Sequence, residues 1–262
     1  MKMEWETILL EKKDHFLWIK LNRPEAMNAL NTQMAKDLTS VFQEVTLDMN
    51  IWVVGITPST EKAFGVGADL KERKDMSSDQ IGRQRILFAR MTGAVKAIPQ
   101  PIIAGVKGFA LGGGFELALM ADIVIAAENA QFGLPEVRVG LIPANGGTQL
   151  LPRLIGKNRA KEMIFSGKRI SAQEAQAMGI VNKIVPVEQV DEAVWQMAKE
   201  ICANAPGAVR QAKKAIDLGM DVDLHTGMEI ENEAYNINLV TEDRQEGIRA
   251  FNEKRPPRWQ NR

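Results

Sequence analysis

Gly108 to Ala126 reads GFALGGGFELALMADIVIA, and its three parts imply three local structures. The glycines at 112–114 impose a turn, because a chain without Cβ atoms takes backbone conformations closed to other residues. FELALM is apolar and long enough for two turns of helix. The IVIA that follows Asp122 is the β-branched run of a strand buried on both faces. Turn, helix and strand in that succession belong to an α/β core.

One residue breaks the apolar pattern. Glu116 lies among Phe115, Leu117, Leu119 and Met120, and an ionisable group in such company points to a shifted pKa and to chemistry. A glycine run alone signals only a tight turn that lets backbones approach. A glycine turn that opens a helix also presents N–H groups with no side chain in the way, backed by the positive end of the helix dipole. Three residues after Gly113, Glu116 falls on the same helix face. An acid/base group and an oxyanion donor are therefore expected side by side.

Outward from this stretch, Phe16 to Leu21, Ile51 to Thr57 and Pro101 to Val106 are further Ile- and Val-rich runs that read as strands, the last two buried on both faces like Asp122 to Ala127. Leu30, Met34, Leu38, Phe42 and Val45 recur at steps of four and three, the stripe of an amphipathic helix between the first two strands. A second helix is expected over Asp79 to Ala97. Beyond Ser171 the pattern turns helical. Ser171 and Glu174 form an S-x-x-E capping box before a short helix that stops at Gly179. A strand-like Ile180 to Val185 precedes helices at Val187 to Asn204, Ala208 to Leu218, Leu224 to Val240 and Glu242 to Lys254. Such a tail is either a lid on the core or an oligomer contact.

The 262 residues carry 33 basic and 33 acidic side chains, leaving no net field to recruit nucleic acid or an anionic membrane. One cysteine, Cys202, excludes an intramolecular disulfide and a cysteine-rich metal site, and two histidines, His15 and His225, offer no HExxH pair and no Ser-His-Asp set. No metal is expected. The amino-terminal MKMEWETILLEKKDHF lacks the apolar core of a signal peptide, and no segment approaches the roughly 20 apolar residues of a membrane span. A cytoplasmic location is the expectation.

Two more motifs carry chemistry. FGVGADL (Phe64 to Leu70) begins like a dinucleotide fingerprint but has Leu70 where the third glycine belongs, so it reads as a loop whose backbone N–H groups near Ala68 face a ligand. In QFGLPEVRVGLIPANGG (Gln131 to Gly147), Pro135 sets a rigid first turn or bend that aims the Glu136 carboxylate. Glycine turns at 65–67 and 112–114 with carboxylates at 116 and 136 form a demanding combination.

KAFGVGADLKE (Lys62 to Glu72), GFALGGGFELALMADIVIA and AQFGLPEVRVGLIPANGGTQLLPRLIG (Ala130 to Gly156) resemble the crotonase superfamily, and more narrowly enoyl-CoA hydratases. LNRPEAMNAL (Leu21 to Leu30), SAQEAQAMGIVNKIV (Ser171 to Val185) and EGIRAFNEKRPP (Glu246 to Pro257) match in the same order, so the similarity runs through nearly the whole chain. The resemblance implies an α/β fold: a spiral of ββα repeats in two sheets over residues 1–195, then a helical trimerisation region over 196–262 that also closes the site.

Carried over by position, the resemblance implies catalytic glutamates at Glu116 and Glu136 and an oxyanion hole from the N–H groups of Ala68 and Gly113. Coenzyme A contacts fall on Ala26, Lys62, the Ala68, Asp69, Leu70 and Lys71 backbone and Gly113, with Tyr235 and Lys254 approaching the nucleotide from the tail. The implied reaction is reversible addition of water to a trans-2-enoyl-CoA, with no cofactor beyond the CoA of the substrate, in a homotrimer or dimer of trimers. A Δ3-Δ2-enoyl-CoA isomerase is the nearest alternative. Another is a hydratase of a branched chain such as methylglutaconyl-CoA, an activity that in this superfamily accompanies RNA binding; the neutral charge and the lack of basic runs beyond pairs such as Lys213 and Lys214 argue against nucleic acid. Asn145 departs from the small residue common in hydratases. Met76, Phe88, Met91 and Phe115 are candidates to line the acyl tail or simply to fill the core.

Overall fold

The computed structural model describes residues 5–262; the first four residues of the amino-terminal stretch read above lie outside it. Strands β1 (Ile8–Lys13) and β2 (Phe16–Leu21) pair antiparallel, and helix α1 (Thr32–Leu47) leads to β3 (Val53–Pro58). The Asn31 side chain caps α1 by accepting the Met34 N–H at 2.8 Å. The predicted stripe from Leu30 to Val45 is buried throughout.

From β3 onward one unit recurs three times. It runs β3, β4 (Ala63–Gly65), then α2 (Leu70–Arg73) and α3 (Ser78–Ala97); next β5 (Ile102–Val106), β6 (Phe109–Leu111), α4 (Gly113–Leu119); then β7 (Ile123–Ala127), β8 (Gln131–Gly133), a 3-10 turn and α5 (Gly147–Ile155). Helix α6 (Lys157–Ser166), β9 (Arg169–Ser171), α7 (Ala172–Ala177) and β10 (Lys183–Val185) follow, then α8 (Val190–Cys202), α9 (Pro206–Gly219), α10 (Leu224–Leu239) and α11 (Glu242–Asn252). The first strand of each unit enters a six-stranded sheet, β1-β2-β3-β5-β7-β10, and the second a four-stranded sheet, β4-β6-β8-β9. This is the ββα spiral that the resemblance implies. Within each sheet the strands contributed by successive units run parallel, so their carboxyl ends, and the turns after them, line up.

The large sheet is buried on both faces with a period of two. Val54, Ile56, Ile102, Ala104, Val106, Val124 and Ala126 join α1 and α3 in the main core. Val53, Ile103, Ile125 and Ala127 face Val190 and Val194 of α8. The division expected at 195/196 falls inside α8, one continuous helix that packs on β3, β5 and β7, so the packed core runs on to Cys202. Beyond it, α9 and α10 form a hairpin whose main contact is with itself.

Candidate functional site

The site forms where the turns after β4 and β6 meet. These strands are parallel neighbours, so the turn holding Ala68 and the turn holding Gly113 lie against each other. Contact is backbone on backbone: a Cβ on Gly114 would sit 2.3 Å from the Gly65 carbonyl oxygen, which only glycine permits. Gly67 takes φ +92°, and a Cβ there would lie 3.5 Å from the Gly113 nitrogen.

Both turns present an uncommitted amide. Leu30 N–H donates to Gly67 O at 2.7 Å and Asp69 N–H to Leu30 O at 2.9 Å. Both neighbours of Ala68 thus face Leu30, and strand alternation turns the Ala68 N–H the opposite way. Gly113 is the first residue of α4, so its N–H has no acceptor within the helix. Among the described residues, neither amide donates to a backbone carbonyl.

Two carboxylates close the site. Glu116, in the first turn of α4, is 1% exposed, and its Oε1 accepts the N–H groups of Asn145 at 2.7 Å and Gly147 at 2.8 Å. Burial pushes its pKa above the ordinary carboxylate value, and the two amides hold part of that rise back. Glu136 opens the 3-10 turn Glu136–Val139 directly after Pro135, as its sequence position suggested. Its Oε1 lies 3.2 Å from where a Gly112 Cβ would be, while its buried Oε2 has no protein partner. Burial first, and then the charge of Glu116, push Glu136 up to about 7.

The loop that holds Glu116 is itself held from α3. Asn145 is buried, with its Nδ2 3.4 Å from a Cβ position on Gly113. Arg85 donates from Nη1 to Asn145 Oδ1 at 3.3 Å and from Nη2 to Ala144 O at 3.0 Å. The sequence carries no signal for the Asn145 and Gly147 amides or for Arg85, because a loop's backbone direction leaves no trace in side-chain pattern. Of the candidate acyl-wall residues, Phe88, Met91 and Phe115 belong to the main core, and Met76 is half-buried.

The remaining predicted positions divide. Ala26 sits half-buried in a 3-10 turn, Leu70 and Lys71 are exposed just after the Ala68 turn, and Lys62 is exposed at the other end of β4. Asp69 is different: its side chain caps α2 through the N–H groups of Lys71 (3.0 Å) and Glu72 (3.2 Å) and pairs with Arg23 at 3.0 Å. Only its backbone remains for a ligand. Tyr235 on α10 and Lys254 after α11 are exposed, and no hydrogen bond or ion pair ties either to the carboxylates. No cluster of three or more His, Cys, Asp or Glu suited to a metal occurs among the described residues.

Residues 11–262 match the family model described as enoyl-CoA hydratase/isomerase. The chain belongs to the enoyl-CoA hydratase/isomerase family. Within this family it is 47% identical to YngF of Bacillus subtilis over 244 residues, 93% of this chain and 94% of that protein. It is 40% identical to the short-chain-enoyl-CoA hydratase of Clostridium acetobutylicum, covering 97% of each. The crystal structure of an enoyl-CoA hydratase from Bacillus anthracis superposes with a TM-score of 0.96 at 44% identity, over 98% of this chain and 100% of that one.

Proposed function

We propose that this family member is an enoyl-CoA hydratase that adds water across a short trans-2-enoyl-CoA to give the 3-hydroxyacyl-CoA. The observation that carries the reading is the carboxylate pair: Glu116 and Glu136 share one buried place beside two uncommitted amides, yet differ in hydrogen bonding. The thioester oxygen rests between the N–H groups of Ala68 and Gly113, where negative charge develops as C3 is attacked. Asn145 and Gly147 hold one oxygen of Glu116 and leave the other to take a proton from water. Glu136, held near neutrality in pKa, delivers its proton to C2. The water oxygen ends on C3, and proton return from Glu116 to Glu136 resets the pair.

Turnover of crotonyl-CoA in ¹⁸O-labelled water tests the reading. Label in the 3-hydroxyacyl product is the expected result. A protein that shifts the double bond of a 3-enoyl-CoA and incorporates no label is an isomerase instead.

The tail supports a homotrimer or dimer of trimers. Ile216, Leu218, Met220, Leu224, Met228 and Val240 are exposed on the α9–α10 hairpin and the residues joining it to its neighbours, an apolar area that a second copy would cover. In such an assembly Tyr235 and Lys254 serve the CoA nucleotide. Sedimentation of the full chain as a monomer would remove this part of the proposal. No helix among the described residues is long and apolar enough to cross a membrane.

A further inference from the structure

The loop that gives two amides to Glu116 has little structure of its own. Residues 141–144 belong to no helix or strand, and residues 145–146 form a bend leading into α5. Among the described residues, the hydrogen bonds that tie residues 142–145 to the rest of the protein run to two side chains only, Arg85 on one side and Glu116 on the other. Arg85 donates from Nη2 to Ala144 O at 3.0 Å and from Nη1 to Asn145 Oδ1 at 3.3 Å, and the Asn145 N–H donates to Glu116 Oε1 at 2.7 Å. Asn145 is thus gripped by its side chain while its amide meets the carboxylate.

Arg85 is the fixed end of this chain of contacts. It lies on α3, which is capped at its start by Ser77 and Gln80 and packed into the main core through Phe88, Met91 and Val95. Its buried neighbour Gln84 joins α3 to Thr32, Glu72 and Arg73. A planar guanidinium meets acceptors on two adjacent residues at once, where an ammonium offers a single point. Burial raises the pKa of Glu116, and the Gly147 and Asn145 amides and then the charge of Arg85 oppose that rise. Other charges near Glu116 are few. Of the elements on which α4 packs, β4 (AFG) and β6 (FAL) carry none, and α5 carries Arg153, which is exposed and pairs with Asp221 at 3.7 Å. Glu136 faces it from the 3-10 turn, while Arg138 of that turn reaches Ser166 O instead. Behind Arg85 stand Arg73 and Glu72.

We propose that Arg85 is a positioning residue for the base: gripping Ala144 and Asn145 from α3, it keeps the Asn145 amide aimed at Glu116 and so sets how readily that carboxylate gives up and regains its proton. The part played by Glu116 rests on the hydratase reading; the grip on the loop does not. A loop free to turn away loses nothing when the carboxylate is protonated. A loop held from α3 keeps its donors aimed at the anion at every stage of the cycle, so the ionised form needs no reorganisation to be stabilised. Arg85 acts through Asn145 and through its charge, without touching the reacting atoms.

Three variants separate the grip from the charge. Arg85→Met removes both, Arg85→Lys keeps the charge and at most one of the two bonds, and Asn145→Ala keeps the amide but deletes one of the acceptors that Arg85 holds. The titration of Glu116 is read without turnover by ¹³C NMR of protein labelled at the glutamate carboxyls, its signal being the one missing from Glu116→Gln. In Arg85→Met that titration should move up by about one pH unit, and by less in Arg85→Lys and Asn145→Ala. The acid limb of kcat/KM for crotonyl-CoA should move with it, so that the variant is about tenfold slower on the acid side and much closer to the wild type on the plateau. In a Glu116→Gln background Arg85→Met should add no further loss, because the two act as a unit. A folded Arg85→Met protein with an unmoved Glu116 titration, or with the same fractional loss at every pH, would overturn the proposal. So would a raised KM with the acid limb unmoved, which would place Arg85 on the substrate. A shifted titration in a protein that hydrates nothing would leave the grip standing and remove the hydratase reading alone.

Discussion

The turn that carries Glu116 and the turn that carries Glu136 supply the same functional group to one site and treat it in opposite ways. On α4 the carboxylate is clamped: one oxygen takes two backbone amides from the 145–147 loop. On the 3-10 turn after Pro135 the carboxylate keeps a buried oxygen with no protein partner. Hydrogen bonds to the charged form favour ionisation, while bare burial beside another negative charge favours the proton. Burial raises both carboxyls; the 145–147 amides hold back the rise of Glu116, while the charge of Glu116 adds to the rise of Glu136, which is the division into base and acid that the proposed reaction uses.

The strongest way to break this comparison is to remove the titration while keeping the shape. Glu116→Gln and Glu136→Gln should each lower kcat for crotonyl-CoA hydration by about 10²–10⁴, and the double variant should be little worse than the poorer single, because the pair acts as a unit. Undiminished hydration by Glu136→Gln would show that Glu136 gives no proton to C2. Next in size is the amide that both carboxylates serve. Gly113→Pro deletes one donor at the first helical position, which a proline ring tolerates, at an expected cost of about 10²–10³ in kcat. The atom its Cβ would meet first, at 2.8 Å, is the flexible end of Leu30. A folded variant with normal turnover would show that Gly113 N–H does not touch the developing charge.

The smallest effects sharpen the comparison through pH. With Glu136 at about 7, kcat/KM should fall above neutrality as its proton leaves, by about tenfold per pH unit in the limit. Because its folded pKa exceeds the unfolded value, Glu136 stabilises the fold below the unfolded pKa, and that contribution is lost as pH rises through about 7. Glu136→Gln should therefore melt a few degrees above the wild type at pH 8 and level with it below about pH 4. A melting difference that is the same at both pH values would mean that Glu136 is an ordinary exposed carboxylate.

What could be read beforehand followed the length and pattern of each signal. Strands β3, β5 and β7 announced themselves by runs of Ile and Val, β2 by its apolar FLWI, and α1 by its stripe. β1 did not, since ILLEKK at 8–13 mixes an apolar start with the charges of an edge strand. The four strands of the small sheet are three residues each, too short to show alternation, so only the resemblance implied a second sheet. Both carboxylates were legible because ionisable groups stand out against Phe115 and Leu117 or beside Pro135. Their sorting was not legible. It depends on the direction of the Asn145 and Gly147 amides, which no side chain records.

The bare contact between Gly65 and Gly114 separates constancy from variation in this molecule. No side chain lies between Gly65 and Gly114, so the spacing of the turns that hold Ala68 and Gly113 is a gauge set by bond lengths and atomic radii. Asn145 and Arg85 stand outside that gauge, on another loop and another helix. Substitution there leaves the spacing of the two turns in place, because neither side chain stands between Gly65 and Gly114.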